Sequence, residues 1–350
     1  MKKAKRLISL AVGLSMLAGV SFVGCKNSAN GGGLGSDFVY TSENLSLLVG
    51  KTVGVLQINN VPGLTFKAVL NKHGIAWQEL TNTGSAAADK VNLIALPDAS
   101  AVTSVDADCF VLAEPAATAQ SRNGFSIVGD LQLLYSGENG YPQAALLAKT
   151  ELVETCGAWL DDFTEKVSES ATWLTSASGA EIVAAVNAHM DDSGMTTSLK
   201  APLLTADVLG RCGVRFAYAA DIQDEAQAFL SDLITVNAQA TKLPNAAFYW
   251  TGTQDANESV PSREITVYMP DGAPALALAG LMHADQADDG MTYKVVDAAL
   301  IASKTTYADA TKNADLCVMP INAAAKLHGE SGKYTMIGAV THGNLYMIAK

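Results

Sequence analysis

The sequence predicts an α/β protein in which two similar α/β lobes enclose a ligand cleft. Three observations support this fold class. The chain has 350 residues, which is long enough for two domains with sizeable cores. Two distant segments share the order of an apolar strand, a polar turn and a helix that opens on a proline. The residues that follow each segment also match, so the chain carries the same plan twice.

The first copy of the plan begins with GKTVGVLQINNVPGLTFKAVLNKHGI at residues 50–75. A strand leads into a turn with two asparagines, and Pro62 then opens a helix. Proline suits that position because the first helical N–H groups have no partner within the helix. Farther on, DADCFVLAEPAATA at 106–119 predicts a strand that ends near Glu114 and a helix start of small residues.

The second copy begins with REITVYMPDGAPALALAGLM at residues 263–282, with an Asp-Gly turn and a helix led by Pro274. NADLCVMPINAAAKL at 313–327 then parallels residues 106–119, since both contain Ala-Asp, a cysteine in an apolar run, a proline and several alanines. In open α/β sheets, ligands bind outside the carboxyl ends of the strands. Helix N-termini there favour an anion or a polar acceptor. Two such edges that face each other would form a clamp.

Residues 141–250, between the two copies, are predicted to be mostly helical. Apolar residues recur at helical spacing in ELVETCGAWLDDFTEKV, GAEIVAAVNAHM and DEAQAFLSDLITVNAQA. We interpret these stripes as core rather than as cofactor sites. The polar stretch TGTQDANESVPSRE at 251–264 is interpreted as a linker.

The first 25 residues have the pattern of an export signal. MKKAKR is basic, LISLAVGLSMLAGV is apolar, and Cys25 follows the small residue Gly24. A cysteine at this point resembles the lipobox of bacterial lipoproteins, which implies that Cys25 becomes a lipidated N-terminus. The alternatives are a plain signal peptide cleaved elsewhere and a spanning helix, although the apolar run is shorter than the ~20 residues that a bilayer requires. A Gly/Ser/Asn-rich tether follows.

Composition limits the partners of the chain. The contents of 49% apolar and 17% charged residues are those of a folded globular protein. The net charge of −12 becomes −16 once residues 1–24 and their four basic residues are removed, and no Lys/Arg cluster predicts nucleic-acid binding. No Cys or His spacing predicts a metal site. Cys109 and Cys317 are interpreted as buried free thiols, whereas a Cys156–Cys212 bridge stays open because export permits disulfides.

Together these segments resemble the substrate-binding proteins of ABC importers that have the type II periplasmic-binding-protein fold. GKTVGVLQINNVPGLTFKAVLNKHGI, DADCFVLAEPAATA and GYPQAALLAK look like the second lobe and the return crossover of that family. ITVYMPDGAPALALAGLM, ADLCVMPINAAAKL and GAVTHGNLYMIAK look like its first lobe. The resemblance is to the branch that includes sulfonate, taurine, nitrate and thiamine-precursor binders, and it covers nearly all of residues 45–350.

The order of the lobes departs from the family pattern, in which the first lobe comes first. The resemblance therefore implies a circular permutation, with an engineered or misassembled sequence as the alternative. The family's lobes are joined by two covalent crossovers. Because the permutation cuts one of them, we expect a single covalent crossover near residues 136–141 and a loose hinge. The implied domains are a signal peptide (1–24), a lipidated cysteine and tether (25–44), a second-lobe-like domain (45–140) and a first-lobe-like domain (141–350) made of completing helices (141–250), a linker (251–264) and the lobe opening (265–350).

The family binds its ligand in the cleft between the lobes, with loops that follow strands. The first-lobe positions that match are Pro270, Asp271, Gly272, Ala273, Pro274, Asn322, Thr341, His342 and Asn344. The second-lobe positions are Asn59, Asn60, Pro62 and Glu114, with Tyr141 at the crossover. Simpler explanations exist for four of them: a plain turn at Asp271, a helix cap at Asn322, a carboxylate at a helix N-terminus for Glu114 and hinge packing for Tyr141.

Three of these residues predict properties of the ligand. If His342 contacts an anion, binding should tighten as the imidazole protonates near its usual pKa of about 6.5. Asp271 and Glu114 would place two negative charges beside the cleft, which suits a sulfonate or nitrate poorly. These acids favour a zwitterionic or heterocyclic amine ligand, such as a pyrimidine or an aminosulfonate.

The resemblance implies a monomeric lipoprotein on the outer face of the bacterial cytoplasmic membrane that captures a small polar ligand and delivers it to a permease and its ATPase. It implies no cofactor, no metal and no catalytic residue, and the sequence shows no Gly-x-Ser-x-Gly, phosphate-loop or HExxH motif. The alternatives are a ligand-sensing lipoprotein without transport and an enzyme of the same two-lobed fold, in which Asp271, Glu114 and His342 would do acid–base work.

Overall fold

Two six-stranded mixed sheets form the framework of a mixed α/β fold. The computed structural model describes residues 38–81, 84–137, 140–191, 194–252, 259–284 and 290–350, and these belong to one compact unit, Leu34–Lys350. The predicted signal peptide, Cys25 and the tether up to residue 37 lie outside the described residues, as do residues 253–258 of the predicted linker.

Sheet A is built from the first part of the chain and its last strand. Its strands are β1 (Thr52–Leu56), β2 (Trp77–Glu79), β3 (Val91–Leu96), β4 (Cys109–Ala113), β5 (Ser126–Asp130) and β12 (Leu345–Ala349). The spatial order is β2-β3-β1-β4-β12-β5. The first four strands in that order are parallel, whereas β12 runs antiparallel to both of its neighbours.

Sheet B is built from the rest of the chain. Its strands are β6 (Ala144–Lys149), β7 (Val214–Tyr218), β8 (Ile265–Pro270), β9 (Met291–Val296), β10 (Leu316–Pro320) and β11 (Tyr334–Thr341). The spatial order is β7-β11-β6-β10-β8-β9. The strands β10, β8 and β9 are parallel, and β6 runs antiparallel between β10 and β11.

The helices fill the connections between these strands. They are α1 (Val61–Lys72), α2 (Ala116–Ala119), α3 (Leu131–Ser136), α4 (Thr150–Thr155), α5 (Gly157–Trp173), α6 (Gly179–Ala188), α7 (Ala206–Arg211), α8 (Gln223–Val236), α9 (Ala273–Ala277), α10 (Ala279–His283) and α11 (Ile321–Ser331). Short 3₁₀ helices cover Leu45–Leu48, Ala99–Thr103, Gln120–Asn123, Ala201–Leu203, Ala246–Phe248, Ala298–Thr305 and Ala310–Lys312. The prolines that were expected to open helices do so in α1 and α9.

Strand-to-helix units occur where the sequence predicts them, at β1–α1, β4–α2, β8–α9 and β10–α11. The segment 141–250 is less uniform than predicted, because β6 and β7 stand beside its helices. Its first predicted helix is also interrupted at Cys156, which has φ −129° and ψ 39° and separates α4 from α5. The next residue, Gly157, is a weak helix former, which is consistent with a break at this point.

The chain crosses between the sheets twice, and not once as predicted. It leaves sheet A after α3 and enters sheet B at β6, and it leaves sheet B after β11 and enters sheet A at β12. The strand β12 belongs to sheet A, whereas the prediction had grouped its residues with the first-lobe-like domain, 141–350. Both crossovers are therefore covalent, and the expectation of a loose hinge loses its basis.

Three apolar clusters fill the interior of the described residues. One is shared by both sheets and holds, for example, Val55 and Val111 of sheet A together with Met319 and Met336 of sheet B. A second cluster lies against the other face of sheet B, and a third against the other face of sheet A. Among the described residues the four cysteines are buried and free, which confirms the prediction for Cys109 and Cys317 and leaves Cys156 and Cys212 unbridged.

Candidate functional site

The two crossovers lie side by side at the carboxyl edges of both sheets. We call residues 140–143 and 341–344 the crossover junction. The Gln143 N–H donates to the Thr341 carbonyl over 2.9 Å, and the His342 N–H donates to the Gly213 carbonyl over 2.9 Å. The segments approach so closely that a Cβ on Gly140, where φ is 65°, would lie 2.3 Å from the His342 carbonyl oxygen. Only glycine fits there without a shift of the backbone.

Polar side chains from both sheets meet at the crossover junction. Gln143 Nε2 donates to Asn344 Oδ1 over 3.0 Å. Asn344 in turn exchanges two bonds with Glu114 of sheet A: the Glu114 N–H donates to its carbonyl over 2.9 Å, and its Nδ2 donates to the Glu114 carbonyl over 3.3 Å. Gln132, at the start of α3, accepts the Leu345 N–H over 2.9 Å. The structure thus brings the predicted residues together at the junction: Glu114, Tyr141, Thr341, His342 and Asn344. Gln132 and Gln143 were not predicted.

His342 is the least satisfied side chain of the junction. The residue is 4% exposed, and neither ring nitrogen has a hydrogen-bond partner among the described residues. Burial, followed by the positive charge of Arg215 on β7, lowers the pKa of His342 from 6.5 to about 3. The imidazole is thus neutral at physiological pH, with one donor and one acceptor nitrogen. The lowered pKa puts protonation of His342 in the ligand-free protein well below pH 6.5, whereas tighter binding of an anion on protonation stays a prediction.

Gln143 shares this property with His342. Its Oε1 atom is buried and has no partner among the described residues, although its Nε2 atom binds Asn344. Buried polar atoms are almost always hydrogen-bonded, and each exception needs an explanation such as a ligand or a water molecule. The junction therefore offers an acceptor on Gln143 and a donor–acceptor pair on His342 to a polar molecule.

Glu114 is fully engaged inside the protein. Its Oε1 atom accepts Arg211 Nε over 2.7 Å and Thr118 Oγ1 over 2.7 Å, and its Oε2 atom accepts the Thr118 N–H over 3.0 Å. Arg211, at the end of α7, also donates from Nη2 to Thr118 Oγ1 over 2.9 Å. Sequence reasoning missed Arg211, since a single arginine before a Cys-Gly turn has no distinctive spacing.

Asp271 is likewise engaged, in the loop between β8 and α9. It accepts the side chain of Thr197, the Ser198 N–H over 2.7 Å and the Gly272 N–H over 2.9 Å. Gly272 has φ 101°, which the turn requires. The residues around it end β8 (Pro270) or begin α9 (Ala273 and Pro274). Hydrogen bonds occupy both carboxylates, and Arg211 pairs with the charge of Glu114. The preference of the two acids for an amine ligand stays a prediction.

The loop between β1 and α1 holds Asn59 and Asn60 exposed at its surface, with Pro62 half-buried behind them. Buried Lys67 fixes the loop, because its Nζ atom donates to the Ile58 carbonyl over 2.9 Å and to Glu79 Oε1 over 2.6 Å. Among the described residues, no hydrogen bond joins Asn59 or Asn60 to the crossover junction.

The last two predicted residues have structural partners. Asn322 Nδ2 donates to the Ala240 carbonyl over 3.2 Å, and its own carbonyl accepts Thr241 Oγ1 over 2.9 Å. Asn322 thus holds the segment after α8. Tyr141 is 1% exposed and stacks on Phe229 with ring centroids 4.7 Å apart. This contact agrees with the hinge-packing explanation for Tyr141.

Two cavities lie at different distances from the crossover junction. The larger, about 610 Å³, lies at the amino ends of β8, β10 and β11, where Arg263, Asn313 and Tyr334 are among its lining residues. It is therefore at the opposite edge of sheet B from the junction. The smaller, about 200 Å³, is lined by residues 140–142 of the junction and by Lys72, Tyr135, Ser136, Glu225 and Ala228.

Within the described ranges, no group of His, Cys, Asp or Glu side chains is arranged to hold a metal ion. No helix in the same ranges is long and apolar enough to cross a membrane. No protein-family model matches the chain, and a search of curated proteins finds no similar relative. The function proposed below rests on the fold, on the crossover junction and on the resemblance of the sequence segments.

Proposed function

We propose that the protein is an extracytoplasmic solute-binding lipoprotein of an ABC importer, which captures a small polar ligand at the crossover junction. The observation that carries this proposal is the set of buried polar atoms without partners on His342 and Gln143, between two sheets that meet at their carboxyl edges. A ligand that pairs with these atoms would contact both lobes through the crossovers. Such a ligand favours whichever arrangement of the lobes completes its hydrogen bonds.

The strand orders support two lobes of the same type. In sheet A, β3-β1-β4 are parallel, and the next strand, β12, is antiparallel and enters directly from the other sheet. In sheet B, β9-β8-β10 are parallel, and the next strand, β6, is again antiparallel and enters from the other sheet. The two sheets thus share this strand arrangement, which supports the resemblance of the sequence segments to the two-lobed type II fold.

The ends of the chain support the circular permutation. Tyr40 forms a bridge with Gly129 on β5, and Ala349 pairs with Ser126 on the same strand. In an unpermuted order these two segments would follow each other along the chain, and their shared neighbour β5 supports that order. The helices α5 and α6 supply buried residues to the apolar cluster of sheet B, as expected of helices that complete a lobe begun by β8.

The proposed role is binding without chemistry on the ligand. The carboxylates of Glu114 and Asp271 are taken up by hydrogen bonds to arginine, threonine, serine and glycine groups, and His342 is neutral. Because the free groups of the junction are neutral, we expect a ligand that offers both a donor and an acceptor.

The test is the thermal unfolding of the purified protein with a panel of solutes: taurine, alkyl sulfonates, nitrate, bicarbonate, aminopyrimidines, thiamine and amino acids. A ligand at 100 times its Kd adds about 2.7 kcal/mol of stability, which gives a visible rise in Tm. Gln143→Leu should lose that rise, whereas exposed Gln239→Leu should keep it. A rise that survives in Gln143→Leu would place the ligand elsewhere. No rise with any solute, from a cooperatively melting protein, would contradict capture of these solute classes.

A further inference from the structure

The two sheets are joined differently on their two sides. On one side they share the apolar cluster that contains Val111 of sheet A and Met319 of sheet B. On the other side their apolar clusters are separate, with Leu112 in the cluster of sheet A and Val318 in the cluster of sheet B. The alternation of side chains along β4 and β10 places these neighbours on opposite faces of each sheet.

The shared side is held by aromatic contacts. Tyr141 of the first crossover stacks on Phe229 of α8, and Tyr135 of α3 meets both rings edge-on, with centroids 5.2 and 5.4 Å away. Tyr135 also donates to Asp232 Oδ2 over 2.6 Å, and Lys72 lies 3.2 Å from the same oxygen. Separation of the sheets here would expose large buried rings to water, so we expect this side to stay packed.

On the other side, polar contacts connect the two sheets: Tyr346 Oη donates to the Arg211 carbonyl over 3.2 Å, and the Arg211 side chain reaches Glu114. Glu114 follows β4 on the face that carries Leu112, and Arg211 ends α7, whose Val208 lies in the apolar cluster of sheet B. Arg211 and Glu114, with Thr118 bound to both, therefore connect the two separate clusters. The Glu114 side chain is 0% exposed, whereas the Arg211 side chain is 32% exposed.

We infer that Arg211, Glu114 and Thr118 form a clasp that holds the two sheets closed over the crossover junction. Release of the clasp lets the sheets rotate about the Tyr135–Tyr141–Phe229 contacts and gives the ligand access to the junction; this role rests on the proposed function. The clasp is suited to opening because hydration replaces its hydrogen bonds once both groups reach water. Loss of Arg211 alone leaves a buried, unpaired carboxylate, which is costly until the clasp opens and water reaches it.

The test measures the distance between the two sides of the clasp in ligand-free protein. Spin labels on Ser121→Cys, beside α2, and Ala206→Cys, on α7, report this distance by double electron–electron resonance. Both positions are exposed, whereas the described native cysteines are buried, so the introduced thiols react preferentially. The labelled parent protein is compared with Arg211→Gln, with Glu114→Gln and with the double variant. Lys72→Gln, which removes an ion pair on the shared side, is the matched control.

We expect Arg211→Gln and Glu114→Gln each to add a longer-distance population, and the double variant to add no more than either single variant. Lys72→Gln should keep the parent distribution. If Arg211→Gln does not melt cooperatively, Arg211→Lys, which cannot reach Glu114 and Thr118 with paired N–H groups, provides the comparison and should give an intermediate population. A parent-like distribution in the arginine and glutamate variants would overturn the clasp. Failure of every solute to stabilise the protein would instead overturn the proposed function and leave the distance result unchanged.

Discussion

Burial of His342 predicts that the protein loses stability as the pH falls from 7 to 5. The pKa of His342 is 6.5 in its ordinary state and about 3 in the folded protein. Between these values the unfolded chain binds one more proton than the folded chain at this residue, so stability falls as the pH falls. The linkage relation gives a loss of about 2 kcal/mol between pH 7 and pH 5 from this residue alone.

The assay is urea unfolding at pH 7 and pH 5, followed by tryptophan fluorescence, for the parent protein and His342→Gln. Both proteins share the titration of every other group, so the difference between their pH responses isolates the imidazole. His342→Gln should lose about 2 kcal/mol less than the parent on acidification. His73→Gln is the control, because His73 Nε2 has a partner in the Leu134 carbonyl. Equal pH responses of the parent and His342→Gln would refute the description of His342 as a buried neutral imidazole.

Two further predictions concern the joint between the sheets, and both are measured as free energies of unfolding in urea. Phe229→Ala should cost about 3–5 kcal/mol of unfolding free energy, because a buried ring and two aromatic contacts are lost. The control, exposed Leu243→Ala, should change stability by less than about 0.5 kcal/mol. A cost below about 1 kcal/mol for Phe229→Ala would contradict the packed joint. Gly343→Ala should cost about 1–3 kcal/mol more than Gly124→Ala. Both glycines have positive φ, but only at Gly343 would a Cβ lie 2.6 Å from Gln132 Cγ. Equal costs would argue against the close approach of Gln132 to Gly343.

The sequence predicts the local units of this fold well. Proline marks the start of α1 and α9, and the recurring Ala-Asp, Cys and Pro pattern marks β4 and β10. These signals are local, because a proline or a run of apolar residues favours the same backbone wherever it occurs. These local signals do not predict which sheet a strand joins. The last strand, β12, therefore required the structure, since its pairing with β4 and β5 depends on residues more than two hundred positions away.

The candidate site was only partly predictable for a related reason. His342, Asn344 and Glu114 were found because they follow apolar strands, and such positions meet at the carboxyl edge of a sheet. Gln143 and Arg211 have no such signal in the sequence, although they complete the polar contacts of the junction. The charge state of the site was also hidden. The sequence does not show that Glu114 binds Arg211 and Thr118. It also does not show that burial lowers the pKa of His342.

The most direct test of the account observes His342 while a ligand binds. The chain contains five histidines, so protein labelled with ¹⁵N only in histidine gives few imidazole signals, and comparison with His342→Gln identifies the one from His342. Each solute that raises the Tm is then titrated into this sample. The ¹⁵N signals of His342 should shift as its nitrogens gain partners, with the ring still neutral at pH 7. A solute that stabilises the protein but leaves these signals unchanged would contradict the placement of the ligand at the crossover junction.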